Sequence, residues 1–227
     1  GIMDNELTSG KKKGLESTLE KLREIAVETN KEWAQIFGIP QSTAITCVKP
    51  SGTVSQLVDS GSGIHPRHSA YYIRTVRGDN KDPLTQFLKD SGVPAEPDFM
   101  KPDTQTVFSF PMKSPKASVL RKDMSAIEQL ETWLIYQRHW CEHKPSVTVS
   151  VRDDEWMDVG AFVFKHFDEM SGVSFLPYSE HTYQQAPYQE CTEDVYNNFR
   201  SKFGHINWDK FKDYEKEDNT KSSQTFA

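Results

Sequence analysis

Two alternating periodicities limit most strongly what this chain can fold into. Runs rich in β-branched and aromatic residues, "AITCV" from Ala44, "YYIRTV" from Tyr71, "TVFSFPM" from Thr106, "SVTVSVR" from Ser146 and "GVSFLP" from Gly172, are separated by stretches with helical spacing. The runs read as strands, and "AITCV", nearly continuous in its apolar character, predicts a strand covered on both faces. Leu15, Leu19, Leu22, Ala26, Thr29, Trp33 and Ile36 recur at three- and four-residue steps and stop at Gly38 and Pro40, which predicts a long amphipathic helix. Asp82 and Pro83 open a helix ending near Gly92, and Ser125 with Glu128 form a capping box for one reaching about Trp140. Asp154 is the expected cap of a helix carrying Trp156, Val159, Val163, Phe167 and Met170 on one face, and Thr192 opens one running through Phe203 to Gly204. Helix and strand alternate without an internal repeat, so the fold class is α/β, as one domain or part of one. The polar, aperiodic end "DYEKEDNTKSSQTFA" predicts a mobile or loosely draped tail.

Charge and cysteine content narrow the function. Over 227 residues the formal net charge is -6, and the only basic run is Lys11 to Lys13, so the chain carries no footprint for nucleic acid. A free nucleotide needs only a local pocket and stays open. No run has the apolar length of a membrane span, and "GIMDNELTSG" has neither the basic start nor the apolar stretch of a signal peptide, which predicts a cytoplasmic chain. Cys47, Cys141 and Cys191 are odd in number and far apart, which predicts reduced thiols, and "CEH" at Cys141 to His143 is too sparse for a zinc site. No metal site is expected.

The chemistry-bearing stretch is "KPSGTVS", Lys49 to Ser55, at the end of the "AITCV" run. Hydroxyl residues around a glycine suit an anion, because Gly52 lets the backbone approach closely while Ser51, Thr53 and Ser55 offer donors. The same residue types also make ordinary turns. The stretch does not match the Gly-Lys-Ser/Thr phosphate loop, since Lys49 precedes the glycine and no helical pattern follows. Lys49 either adds charge or is simply solvated.

Taken in order, "ITCVKPSGTVSQL", "SGIHPRHSAYYIRTVR", "SVTVSVR", "GVSFLPYSEHTYQQAPYQE" and "YEKEDNTKSSQTFA" resemble the C-terminal part of the adenosylcobalamin-dependent (class II) ribonucleotide reductases, of the monomeric ribonucleoside-triphosphate reductase type. The resemblance implies the C-terminal half of a ten-stranded α/β barrel over residues 1–212, with residues 213–227 as a flexible tail lacking that family's cysteine pair. It implies that Pro50, Ser51, Gly52, Thr53, Val54 and Ser55 hold the substrate phosphates. By the same resemblance the cofactor is adenosylcobalamin, the substrate a ribonucleoside triphosphate, and the electron donor a thioredoxin-type protein. The family's radical chemistry uses an Asn-Pro-Cys-Gly-Glu loop that is not in this sequence, so no catalytic residue is assigned here. The N-terminal half of the same reductase is the expected partner, through a split gene, an intein or a cut full-length enzyme; an inactive remnant would have little reason to keep the hydroxyl loop. His65, Arg67 and His68 either touch nucleotide or cofactor or simply pack within their loop. His181, Tyr183, Gln184, Gln185 and Tyr188 are candidates for closing the site over substrate or corrin, and no histidine is assigned as a cobalt ligand. The alternative from another class is a non-catalytic nucleotide-binding or interaction protein that keeps the phosphate loop.

Overall fold

The structure, a computed structural model, describes residues 1–51, 54–178, 183–203 and 206–215. In chain order the elements are α1 (Leu15–Phe37), α2 (Val54–Leu57), β1 (Tyr71–Asp79), α3 (Pro83–Asp90), β2 (Ala95–Pro97), β3 (Gln105–Lys113), α4 (Ala126–His139), β4 (Thr148–Val151), α5 (Trp156–Lys165), β5 (Ser174–Pro177), β6 (Tyr188–Glu190) and α6 (Glu193–Lys202). They fall into two compact units, Gly1–Arg67 with Pro115–Ser179, and His68–Ser114 with Glu180–Ala227. The α/β class holds.

The first unit is organised around α4. Ser125 accepts from the backbone N–H of Glu128 and the Glu128 carboxylate accepts from the N–H of Ser125, the reciprocal cap expected from the sequence. Leu130 and Trp133 on this helix are fully buried against Val149 and Val151 of β4, together with Ile64 and Met3. β4 pairs in parallel with β5 from Thr148↔Ser174 to Val151↔Pro177, and α5 lies between them in sequence, so the three make a β-α-β unit. Asp154 is not the cap of α5. Glu155 takes the cap position, and its carboxylate instead accepts from the N–H of Ala126 at 2.9 Å and of Arg152 at 2.8 Å, so it serves the start of α4.

"AITCV" is not a strand. The carbonyls of Thr46 and Val48 accept from the N–H groups of Glu142 and Ser146, but the N–H groups of Ile45 and Thr46 go to the Glu142 carboxylate, and the Trp140 indole takes the carbonyl of Cys47. Side chains thus occupy the positions that a second strand would fill. The segment is extended, buried only at Thr46 and Val48, and runs in the same direction as residues 142–146.

The second unit is a four-stranded antiparallel sheet in the order β2-β3-β1-β6. β1 and β3 pair along their full lengths, from Tyr71↔Lys113 to Asp79↔Gln105. Gly78 lies where α3 crosses the sheet: a Cβ there would collide with the Thr85 hydroxyl, so only glycine allows that approach. Asp82 caps α3 through the N–H of Leu84, and Thr192 caps α6 through that of Val195, both as the sequence predicts. Gly204 lies outside the described residues. β2 and β6 had no counterpart among the expected strands, since each is three residues long, and β6 emerges from a segment read as loop. Phe87 on α3 gathers Trp208, Phe211 and Tyr214, each with its ring centroid 5.4 Å away, and the Tyr214 hydroxyl donates to Asp90, which fixes the chain as far as Tyr214.

Candidate functional site

The candidate loop begins where the extended segment ends, and a second loop holds it. The Ser51 hydroxyl lies 2.6 Å from that of Ser62, and the Ser51 carbonyl accepts from Val54 N–H at 2.9 Å, the first bond of the short turn α2. That turn corrects the expectation of no helix after the loop; one turn is too short to leave a periodic signature. Gly52 and Thr53 lie outside the described residues. Ser55 is 2% exposed, and its hydroxyl has no hydrogen-bond partner among the described residues. A buried hydroxyl without a partner costs free energy. Val54 and Lys49 are exposed.

Loop 59–67 closes back on this turn through a buried arginine. Arg67 donates from Nε and one terminal nitrogen to both carboxylate oxygens of Asp4, at 2.9 and 2.8 Å, and also reaches the side chain and carbonyl of Asp59. Asp59 has φ 46°, a left-handed conformation held by that grip. Asp4 also accepts from the Ser118 hydroxyl and Gly61 N–H. Burial by itself would raise the Asp4 pKa, but the bonds from Arg67, Ser118 and Gly61, with the Arg67 charge, outweigh it and hold the carboxyl at about 2. His65 links the same loop to the sheet: its Nε2 accepts from Thr148 N–H at 3.0 Å, which leaves Nδ1 to donate to the Ser62 carbonyl at 2.7 Å. Gly63, at φ 50°, lets the turn pass beside Val48 and the Lys49 carbonyl.

His65 and Arg67 therefore pack and hydrogen-bond inside the chain, the plainer of the two readings left open by the sequence. In the second unit His68 stacks on Tyr188 at 5.6 Å, and Arg74 covers the Tyr188 ring at 4.2 Å. Gln185 is buried; its amide donates to Glu96 and the Pro97 carbonyl and accepts from Phe99 N–H, so it plugs the end of β2. Tyr183 and Gln184 are exposed, and His181 lies outside the described residues. Sequence reasoning missed Asp4, Asp59 and Ser62, which stand beside the loop only through folding. Burial pushes the Cys141 thiol up to about 11, and raises that of Cys191, so neither is an activated nucleophile. Among the described residues no three His, Cys, Asp or Glu side chains converge as for a metal, and no helix is long and apolar enough to cross a membrane.

No family model matches the chain. The adenosylcobalamin-dependent ribonucleoside-triphosphate reductase of Lactobacillus gasseri is 31% identical over 183 residues, covering 79% of this chain and 24% of that protein. A probable reductase of the same name from Dictyostelium discoideum is 33% identical over 176 residues, 75% of this chain and 23% of its own length. A crystal structure of a B12-dependent (class II) ribonucleotide reductase superimposes with TM-score 0.78 at 26% identity, over 89% of this chain and 29% of that one. Over three quarters or more of its length the chain is homologous to adenosylcobalamin-dependent ribonucleoside-triphosphate reductases, and its structural neighbour is a class II enzyme. The chain spans about a quarter of the length of the curated family members it matches. The segment matched in these proteins holds a loop of hydroxyls braced by Arg67 and His65 in one unit and an antiparallel sheet in the other.

Proposed function

We propose that the chain is the C-terminal portion of an adenosylcobalamin-dependent ribonucleoside-triphosphate reductase, and that Pro50, Ser51, Gly52, Thr53, Val54 and Ser55 hold the substrate phosphates. The observation that carries the loop assignment is the buried hydroxyl of Ser55, without a partner among the described residues, four residues after the Ser51 hydroxyl that pairs with Ser62. A phosphate oxygen supplies the acceptor that Ser55 lacks, and Lys49 lies one residue before the loop to complement its charge. The parallel β4-α5-β5 unit suits half of an α/β barrel over residues 1–212, with residues 213–227 as the tail. In this reading the N-terminal half supplies the radical cysteine, and a thioredoxin-type protein restores the thiols.

Adenosylcobalamin supplies the radical that starts replacement of the ribose 2′-hydroxyl by hydrogen. His65 commits both ring nitrogens internally, and among the described residues no side-chain cluster offers itself to cobalt. The cofactor is therefore assigned to the assembled protein.

The test uses the chain together with a complementary N-terminal polypeptide. Turnover should require both. Ser55→Ala in the pair should weaken triphosphate binding about tenfold or more while leaving a free nucleoside unaffected, because a hydrogen bond to a charged acceptor is worth roughly 1.5–3 kcal/mol. In the isolated chain the same variant should keep or slightly raise the urea midpoint, since it removes an unsatisfied group. Unchanged triphosphate affinity would make the loop a turn. Nucleotide binding without turnover in the pair would favour a non-catalytic nucleotide binder.

A further inference from the structure

The apolar stripe of α1 does two different things along its length. Leu15 and Leu19 are buried in the core of the first unit, at 5% exposure each. Leu22, Ile25, Trp33, Ile36 and Phe37 continue the same stripe, yet they are 49–65% exposed. At 1.5 Å per residue the uncovered stretch from Leu22 to Phe37 is roughly 24 Å long. An amphipathic helix gains its stability by burying its apolar face, and a run of large residues left outside is the mark of an interface.

The exposed end also has the chemistry of a binding anchor. The rings of Trp33 and Phe37 pack on each other with centroids 5.4 Å apart, so the aromatic pair is already ordered. Tryptophan dominates contact energies at protein interfaces, and fixing its rotamer beforehand lowers the entropy lost on docking. By helical spacing Glu32 borders the stripe, while Glu24 and Lys31 lie on the opposite, solvent-facing side of the helix.

We infer that α1 from Leu22 to Phe37 is the docking surface for the remainder of the reductase body, the part that the curated family members carry and this chain does not match. The inference rests on the reading of the chain as a portion of a reductase. Matched members extend over about four times the aligned length, since the alignment covers 24% of the Lactobacillus gasseri protein, so the occupant is a large polypeptide with its own packed core. A second copy of this chain is the competing occupant. It would have to bury the same stripe against itself, and cross-linking from position 33 tells it from the N-terminal polypeptide.

The probe is the N-terminal portion of the Lactobacillus gasseri protein, co-expressed with the full chain. Ile25→Glu and Ile36→Glu should each weaken co-purification at least about tenfold and leave the urea midpoint of the isolated chain unchanged, because both side chains are already more than half exposed. A photo-crosslinking residue at position 33 should bond to the N-terminal polypeptide. Cross-links only to the same chain or to a second copy would overturn the inference, as would glutamate variants that associate as tightly as the unsubstituted chain. Failure of the unsubstituted chain to associate would overturn the underlying reading and this inference with it. The two failures are therefore distinguishable.

Discussion

Replacing Arg67 by alanine should lower stability by about 3–5 kcal/mol, because it leaves the Asp4 carboxylate buried without its counter-charge. The side chain of Arg67 is 7% exposed and that of Asp4 13%, so solvent screens the pair weakly. The same change frees Asp59, whose left-handed φ depends on the guanidinium that grips its carboxylate and carbonyl. Loosening should therefore spread from residues 59–61 to Ser55, whose carbonyl accepts from Ser60 N–H. A drop in urea midpoint with an unchanged denaturant slope is the expected result. Arg67→Lys should recover only part of it, since an ammonium cannot bond both Asp4 oxygens side by side.

The pair also sets an acid limit. Asp4 is held at about 2 in the folded chain against an ordinary value of 3.8, so its contribution is complete above about pH 4 and is lost as pH falls toward 2. Linkage makes that contribution about 2 kcal/mol. Arg67→Ala should flatten the stability profile between those two pH values. A variant that keeps both the midpoint and the acid limb would show that the ion pair does not brace the loop.

How much of this was legible in the sequence depends on how local each feature is. Ser125 with Glu128, Asp82 with Pro83, and Thr192 are caps written within a few residues, and the structure has them where the spacing places them. The four strands β1, β3, β4 and β5 were legible from their β-branched and aromatic runs for the same reason. "AITCV" looked like a strand because apolar pattern reports burial and extension but not partners, and besides the backbone N–H groups of Glu142 and Ser146 its partners proved to be the Glu142 carboxylate and the Trp140 indole. The hydroxyl loop was legible as residue types. Its support was not: Asp4 meets Arg67 across 63 positions, and Ser62 and Ser51 are neighbours only after the chain turns through α2. The α1 stripe was visible as a period, while its division into a buried start and an uncovered continuation needed the packing.

Trp133→Ala should be as damaging as the loss of Arg67, by a different route. Trp133 is fully buried between α4 and β4, and removing so large a side chain costs about 3–5 kcal/mol through lost transfer energy and the cavity left behind. Its indole N–H also donates to the Pro145 carbonyl at 3.1 Å, and the next residue, Ser146, donates its N–H to the Val48 carbonyl at 2.8 Å. Those two bonds connect the floor of the core to the segment that carries Lys49 and Pro50. Trp133→Phe separates the two effects, because it keeps most of the ring volume and removes the donor. Leaving the buried Pro145 carbonyl unpaired should cost about 1–3 kcal/mol. The Ser146 amide should then exchange its hydrogen faster than in the unsubstituted chain, by more than the global loss of stability accounts for. If the phenylalanine variant keeps both its urea midpoint and the protection of Ser146, the indole bond is incidental, and the bonds from Ser146, Glu142 and Trp140 hold the extended segment without it.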